Sequence, residues 1–253
     1  MSYRTGEYLT ATLYVLHSRA YRDTSAIITA LSSELGKVSF VAKGIRSKKN
    51  AKIALLQPFV PLSAQIYGRN ELKNLAKVEA LGIGLNLFDT RLYSAMYLNE
   101  LLMRLLPVEL PCPDIYLHYS QALQKLASEE NIEPVLRDFE LLLLQELGYG
   151  IEFHLDYVSG EEVLPECFYQ FDLEQGVRLV AEASRNAISG RALINIAHQN
   201  WDEATLKVAK KIVRLSLSPL LGNKPLKSRE LFSQPPTVES NKEINKKSNK
   251  KPD

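Results

Sequence analysis

The side-chain pattern changes period once, between about residues 81 and 89, and that switch limits the chain to a β unit followed by a helical one. Thr10–His17 alternates, with Leu13 and Val15 on one face and Tyr14 and Leu16 on the other. Ala26–Leu31, Val38–Ala42, Phe59–Tyr67 and Leu72–Leu81 are four further strand candidates. Pro58 and Pro61 make the fourth an edge or a bend. Turn signals stand between the runs, at Ser18-Arg19, Leu35-Gly36-Lys37, Lys43-Gly44 and Gly68-Arg69-Asn70. Five short strands in about eighty residues fit an OB-type barrel, whose curved face and loops commonly hold oligonucleotides. Side chains such as Val15, Ile27, Phe40 and Val41 are expected to fill so small an interior.

Beyond the switch, Asp89 or Thr90 offers an N-cap, and Leu92, Met96, Leu98, Leu102, Leu105 and Leu106 recur at helical spacing. Pro107, Pro111 and Pro113 end that helix, and a second runs from about Asp114 to Ala127. A third starts after Asn131 with Pro134 in its first turn; it carries Leu136, Phe139, Leu141–Leu144 and Leu147, and Gly148 caps it. Its centre is apolar nearly all round, which predicts burial on most sides. The aromatic clusters Phe153–Tyr157 and Phe168–Phe171 predict a hairpin or an extended flap. Helical patterns return at Gly190–Ala197 and Glu203–Leu217, the latter closed by Pro219 and Gly222. Trp201 and Asp202 read as a packing residue and an N-cap at its entrance. The fold class is therefore α+β: a barrel over 1–82, a helical domain over 83–234 with an insert at about 149–182, and a Lys-rich tail over 235–253 too polar to bury a core.

The formal net charge of +2 hides a segregation. Residues 1–79 hold 12 Lys and Arg against 5 Asp and Glu, whereas the rest hold 19 against 24. Arg19, Arg22, Lys37, Lys43, Arg46, Lys48, Lys49 and Arg69 fall in or beside the predicted barrel loops. Such cations attract phosphates without reading sequence, and Tyr14, Tyr21, Phe40 and Tyr67 nearby are candidates to stack bases. A second basic region, 203–234, ends in a cationic turn with Lys224, Lys227 and Arg229, equally readable as a helix stop with solvated lysines. The Gly, Lys and Ser of that turn do not have P-loop spacing. The stretch 129–182, with 14 acids against Arg137 and Arg178, reads as a solvated face.

Catalysis and metal binding find little support. His17, His118, His154 and His198 are scattered, and neither a His-Glu-x-x-His nor a Gly-x-Ser-x-Gly motif occurs. Cys112 and Cys167 are far apart, so no zinc site, disulfide framework or cofactor is expected. The chain has no apolar run long enough for a membrane span and no secretory h-region, which predicts a cytoplasmic protein.

The run Tyr14–Ser25 resembles the N-terminal signature of the bacterial recombination mediator family RecO. So do Gly36-Lys37-Val38 with Ala42-Lys43-Gly44, Leu56-Gln57-Pro58-Phe59, Phe139-Glu140 with Leu147-Gly148-Tyr149, and the closing Gly222–Leu231. The similarity spans roughly residues 8–234 in order. It implies an OB-fold followed by a helical domain, and a non-enzymatic, nucleoid-associated role. That role comprises binding single- and double-stranded DNA, annealing complementary strands and, with RecR, helping to load RecA onto DNA coated with the single-strand-binding protein SSB. It also implies a pocket for the acidic, Phe-ending SSB tail around the third helix, with Arg137 and Phe139 as its residues. Some members carry a four-cysteine zinc site after the Leu-Gly-Tyr motif. This sequence has only Cys167 there, so the aromatic clusters must hold that segment. Two other readings stay open on the residues alone, a protein-docking adaptor and an RNA-binding OB protein.

Overall fold

In the computed structural model, residues 8–45, 52–181 and 186–232 are described. The expected tail, and the cations Arg46, Lys48 and Lys49, lie outside them. Strands β1 (Tyr8–Tyr21), β2 (Ser25–Ser32) and β3 (Gly36–Ala42) are followed by a single turn of helix, α1 (Lys52–Leu55), then β4 (Pro61–Tyr67) and β5 (Leu72–Ala80). They close into a five-stranded barrel in the order β1-β2-β3-β5-β4, with β3 and β5 parallel and the other pairs antiparallel. Closure leaves no free sheet edge. The interior is packed by Leu13, Val15, Ile28, Phe40, Leu62 and Ile66. Ile27 and Val41, read as interior, are buried but stand outside that core, because side chains alternate across a strand and Ala26, Ile28, Phe40 and Ala42 take the inner face.

The first strand is longer than its hydrophobic run. Ser18-Arg19 is not a turn: a register shift between Val15 and His17 re-aims the strand, and pairing with β2 continues through Tyr21↔Ser25. The turn is Arg22–Thr24, with Arg22 at φ 51°. The β1–β2 hairpin thereby carries exposed backbone that a shorter strand would lack.

Helices α2 (Asp89–Leu105), α3 (Pro113–Ser128) and α4 (Glu133–Glu146) pack together with α6 (Glu203–Leu221). Neither Asp89 nor Thr90 caps α2: Phe88 occupies that position and no side chain bonds the free amides. Gly148, at φ 84°, does end α4, with Tyr149 N–H donating to the Leu144 carbonyl at 2.8 Å. Asp202 caps α6 through the Thr205 amide at 2.7 Å, and Trp201 donates to Asp138 at 2.9 Å. Pro219 lies inside the last turn of α6 rather than ending it, and Gly222 at φ 62° stops the helix.

The barrel and helices share a core. Tyr14, Leu16, Leu31 and Phe59 from the barrel pack with Leu98, Leu102 and Tyr119. Tyr14 Oη pairs with Ser120 Oγ at 3.0 Å, and Asn99 donates to the Leu16 carbonyl at 3.1 Å. A second clamp lies beside the first, since Lys37 pairs with Leu31, the strand partner of Tyr14. Val108 bridges Lys37, Glu109 N–H donates to the Lys37 carbonyl at 2.9 Å, and buried Lys73 pairs with Glu109 at 2.5 Å.

The segment after α4 forms its own small core around Phe153, Tyr169, Val177 and Leu193, built on β6 (Phe168–Asp172), β7 (Gly176–Val180), β8 (Ile188–Ser189) and α5 (Gly190–Ala197). The second aromatic cluster is the hairpin strand β6, whereas Phe153–Tyr157 makes only isolated bridges. Asp156, 4% exposed, ties the two together: one carboxylate oxygen accepts from Val158 and Ser159 N–H at 2.6 and 3.1 Å, the other from Leu179 N–H at 2.6 Å. The last element is α7 (Ser228–Leu231).

Candidate nucleic-acid interface

Strand direction sorts the barrel cations into two groups. The β1–β2 turn and the start of the β3–α1 loop share one end, since Ala26 pairs with Ala42 and with Ala20. Arg19, Arg22 and Lys43, all exposed, therefore gather there. Arg22 lies over the Tyr21 ring, 5.1 Å from its centroid. Arg69, in the β4–β5 turn, is at the opposite end, beside the Ser32–Gly36 connection. Lys37 belongs with neither. Its amino group is half-buried, donates to the Met103 carbonyl at 2.8 Å, and has its pKa lowered by that burial. It is a clamp between barrel and α2, not a solvent-facing cation.

The aromatics near these loops also divide. Tyr14 is buried against Tyr116 and Tyr119, and Phe40 is sealed inside the barrel, so neither presents a face for a base. Tyr21 and Tyr67 remain partly exposed.

The C-terminal turn is held from α2. Glu100 accepts from Lys227 N–H (2.9 Å), Ser228 N–H (2.8 Å) and Ser228 Oγ (2.7 Å). Partial burial works to raise the Glu100 pKa, but these donors and Arg104 outweigh it and hold the carboxyl below its usual value. Arg104 donates to the carbonyls of Leu221, Lys224 (2.8 Å) and Pro225 (3.3 Å), satisfying the end of α6. Lys224, Lys227 and Arg229 are exposed on this braced turn, but Lys227 and Arg229 do not line one space. Lys227 faces a cleft between barrel and α2, whereas Arg229 faces a second cavity between α2, α4 and α6.

That second cavity, about 550 Å³, is lined by Tyr97, Leu136 and Phe232 together with Arg137, Lys210, Arg214 and Arg229. Arg137 is 6% exposed and pairs with fully buried Glu140, Nη1 to Oε2 at 3.0 Å and Nη2 to Oε1 at 3.1 Å. Tyr97 donates to the same Glu140 oxygen at 2.5 Å. Burial raises the Glu140 pKa despite Arg137, and it raises that of Tyr97 further. Ser94 Oγ, also on the wall, has no hydrogen-bond partner among the described residues. Phe139 is not part of this site. It is 2% exposed and packs edge-on against Tyr119, because two residues along α4 turn it to the side opposite Arg137. Sequence reading named Arg137 for such a pocket, placed Lys210 and Arg214 only within the basic region 203–234, and did not name Tyr97 or Phe232. The i,i+4 spacing of Lys210 and Arg214, which puts both on one face of α6, was the available signal.

Among the described residues, no group of three or more His, Cys, Asp or Glu side chains is arranged to hold a metal ion, and no helix is long and apolar enough to cross a membrane. The His154 and His198 rings meet edge to face at 5.3 Å.

Comparison with known proteins bears on the same two units. The family model "Recombination protein O N terminal" matches residues 7–83, and "Recombination protein O C terminal" matches residues 90–230. The chain is 47% identical over 222 residues to the DNA repair protein RecO of Pseudoalteromonas atlantica, covering 87% of this chain and 92% of that one. It is 43% identical to that of Vibrio parahaemolyticus, covering 90% and 94%. It is 44% identical to that of Pseudomonas aeruginosa strain UCBPP-PA14, covering 87% and 92%. The chain belongs to the recombination protein O family.

Proposed function

We propose that this member of a DNA repair and recombination family is a mediator. It binds single- and double-stranded DNA with the cationic end of its barrel, anneals complementary strands and, with RecR, helps to load RecA onto SSB-coated single strands. It acts through binding and positioning, without a catalytic centre or cofactor, in the cytoplasm at the nucleoid. The observation that carries this reading is the gathering of Arg19, Arg22 and Lys43 at one end of a closed five-stranded barrel in a chain of this family. Such an end would neutralise phosphates and release the counterions condensed on the DNA without any base being read.

Annealing of complementary oligonucleotides coated with SSB tests it. The protein accelerates annealing, and Arg19→Glu with Lys43→Glu abolishes the acceleration while leaving the barrel folded. An unchanged rate in the folded double variant refutes the assignment of these residues. No acceleration by the wild-type chain refutes the mediator reading. DNA affinity is expected to fall with salt on a log–log slope of about −0.7 per phosphate neutralised on single strands.

The cavity around Arg137 supports the partner half of this reading. An acidic peptide ending in Phe and a free carboxylate matches an apolar floor under Arg214, Arg229 and the Arg137–Glu140 pair. Fluorescence titration of an SSB-tail peptide against the same peptide with an amidated C-terminus tests it, and equal affinity for both refutes it.

A further inference from the structure

The largest cavity among those characterised belongs to neither cationic barrel end nor Arg137 pocket. It is a cleft of about 690 Å³ between β1, the Pro58-Phe59 segment, α2 and α7, within the size range of ligand sites. Its walls are apolar: Leu16, Phe59, Met96, Met103 and Leu231. Met96 is 42% exposed. The chain has three methionines, and two of them line this cleft. Thioether side chains are polarizable and conform to flat faces of varied shape.

The cleft lies between the two basic regions of the chain. One rim is His17-Ser18 of β1, and the next residues along that strand lead to Arg19 and Arg22. The opposite rim carries Lys227, on the braced turn with Lys224. Two acids line it as well. Glu100 is fully engaged by Ser228 and the Lys227 amide, and Glu230 is exposed at the mouth. An apolar slot with Lys227 on one rim, and with Arg19 and Arg22 beyond the other, fits a ligand with flat apolar faces strung on an anionic backbone.

We propose that this cleft takes unstacked bases of single-stranded DNA, so that a strand leaving Arg19 and Arg22 crosses the slot and reaches Lys224 and Lys227. The two basic regions of the sequence then form one path, with phosphates on the rims and bases between them. This rests on the DNA-binding reading above and adds to it the place where bases are held. An acidic apolar peptide is the competing occupant, and the cleft's place between the two basic regions favours the DNA strand, which can contact both.

The test compares the full-length protein with an oligothymidylate of about 16 nucleotides, the upper site size of one OB fold, and an abasic oligomer of equal length and charge. The oligothymidylate binds about 5- to 100-fold more tightly. It also slows peroxide oxidation of Met96 and Met103, read by mass spectrometry, while an added methionine-containing peptide serves as the internal reference. Met96→Ala with Met103→Ala shrinks the preference several-fold and leaves abasic affinity unchanged. Equal affinities with no protection of the two methionines overturn the cleft assignment while the DNA-binding reading stands. Failure of both oligomers to bind overturns both. Protection by an acidic Phe-ending peptide but not by oligothymidylate assigns the cleft to a peptide and overturns the proposal.

Discussion

Asp156 holds the segment after α4 through three backbone N–H groups, and replacing it with asparagine tests how much that segment depends on one carboxylate. The side chain is 4% exposed and serves two sets of donors: Val158 and Ser159 on one oxygen, Leu179 of β7 on the other. An amide has the same shape but a single acceptor. Turned one way, the substituted amide no longer serves Leu179, and its NH2 faces a second donor; turned the other way, two backbone N–H groups lose their partner. The best orientation forfeits one bond to a charged acceptor, about 1.5–3 kcal/mol, and weakens two others from charged to neutral, about 0.5–1 kcal/mol each. The sum is about 3 kcal/mol, or on the order of a hundredfold in the local opening equilibrium. Burial works to raise the Asp156 pKa, but the three donors outweigh it and hold the carboxyl below its usual value. A depressed folded value makes this stability present at neutral pH, above the unfolded value of about 3.9, and lost as pH falls through the folded value. Amide hydrogen exchange at neutral pH, followed on peptides spanning 155–162 and 176–181, reads the loss. Asp156→Asn exchanges about a hundredfold faster there, while barrel peptides are unchanged. A change of less than about threefold, well under 1 kcal/mol, refutes the argument.

Gly36 and Gly44 share φ 68°, but a Cβ on Gly36 would collide with the Leu110 carbonyl and one on Gly44 meets nothing within 4 Å. Thermal unfolding separates the two costs: Gly44→Ala loses only the left-handed strain, about 1–2 kcal/mol, and Gly36→Ala loses more because the Val108–Leu110 clamp must move. Glu140 has its pKa raised by burial, so the folded state holds its proton longer than the unfolded one. Stability then falls as pH rises from about 4.3, the unfolded value, through the folded value, and Glu140→Gln removes that slope in urea titrations across pH. Arg104→Ala frees the carbonyls of Leu221, Lys224 and Pro225, a loss of about 2 kcal/mol after allowance for partial exposure, and limited trypsin digestion is expected to cut first after Lys227, because the Lys224-Pro225 bond resists trypsin.

The parts of the fold that depend on local chemistry were readable from residues alone. The barrel interior follows period two through Val15, Ile28 and Phe40, and α5 falls on its apolar pattern at Gly190–Ala197. What resisted reading was decided by partners distant in sequence. The length of β1 depends on β2 continuing to pair past a register shift, which no residue in Ser18-Arg19 announces. Lys37 looks like a loop cation until Met103, sixty-six residues away, accepts its proton donor. Phe139 sits two residues from Arg137 and so seems to share its site, yet successive positions on a helix diverge by about 100°, which puts the phenyl ring in the core.

The same geometry divides the C-terminal turn. Lys227 and Arg229 read as one cationic cluster, but a single helical turn sends them to opposite sides of α7, one to the methionine-lined cleft and one to the Arg137 cavity. The turn that carries them is held from α2, through Glu100 at Lys227 and Ser228 and Arg104 at Lys224, so their separation is built into a braced backbone. A charge reversal at Lys227 therefore acts on the DNA path and one at Arg229 on the acidic-peptide site. Lys227→Glu is expected to weaken oligothymidylate binding several-fold with SSB-tail affinity unchanged, and Arg229→Glu to do the opposite. Parallel loss of both affinities in either variant, measured by fluorescence anisotropy on the folded proteins, would show that the turn acts as a single electrostatic patch.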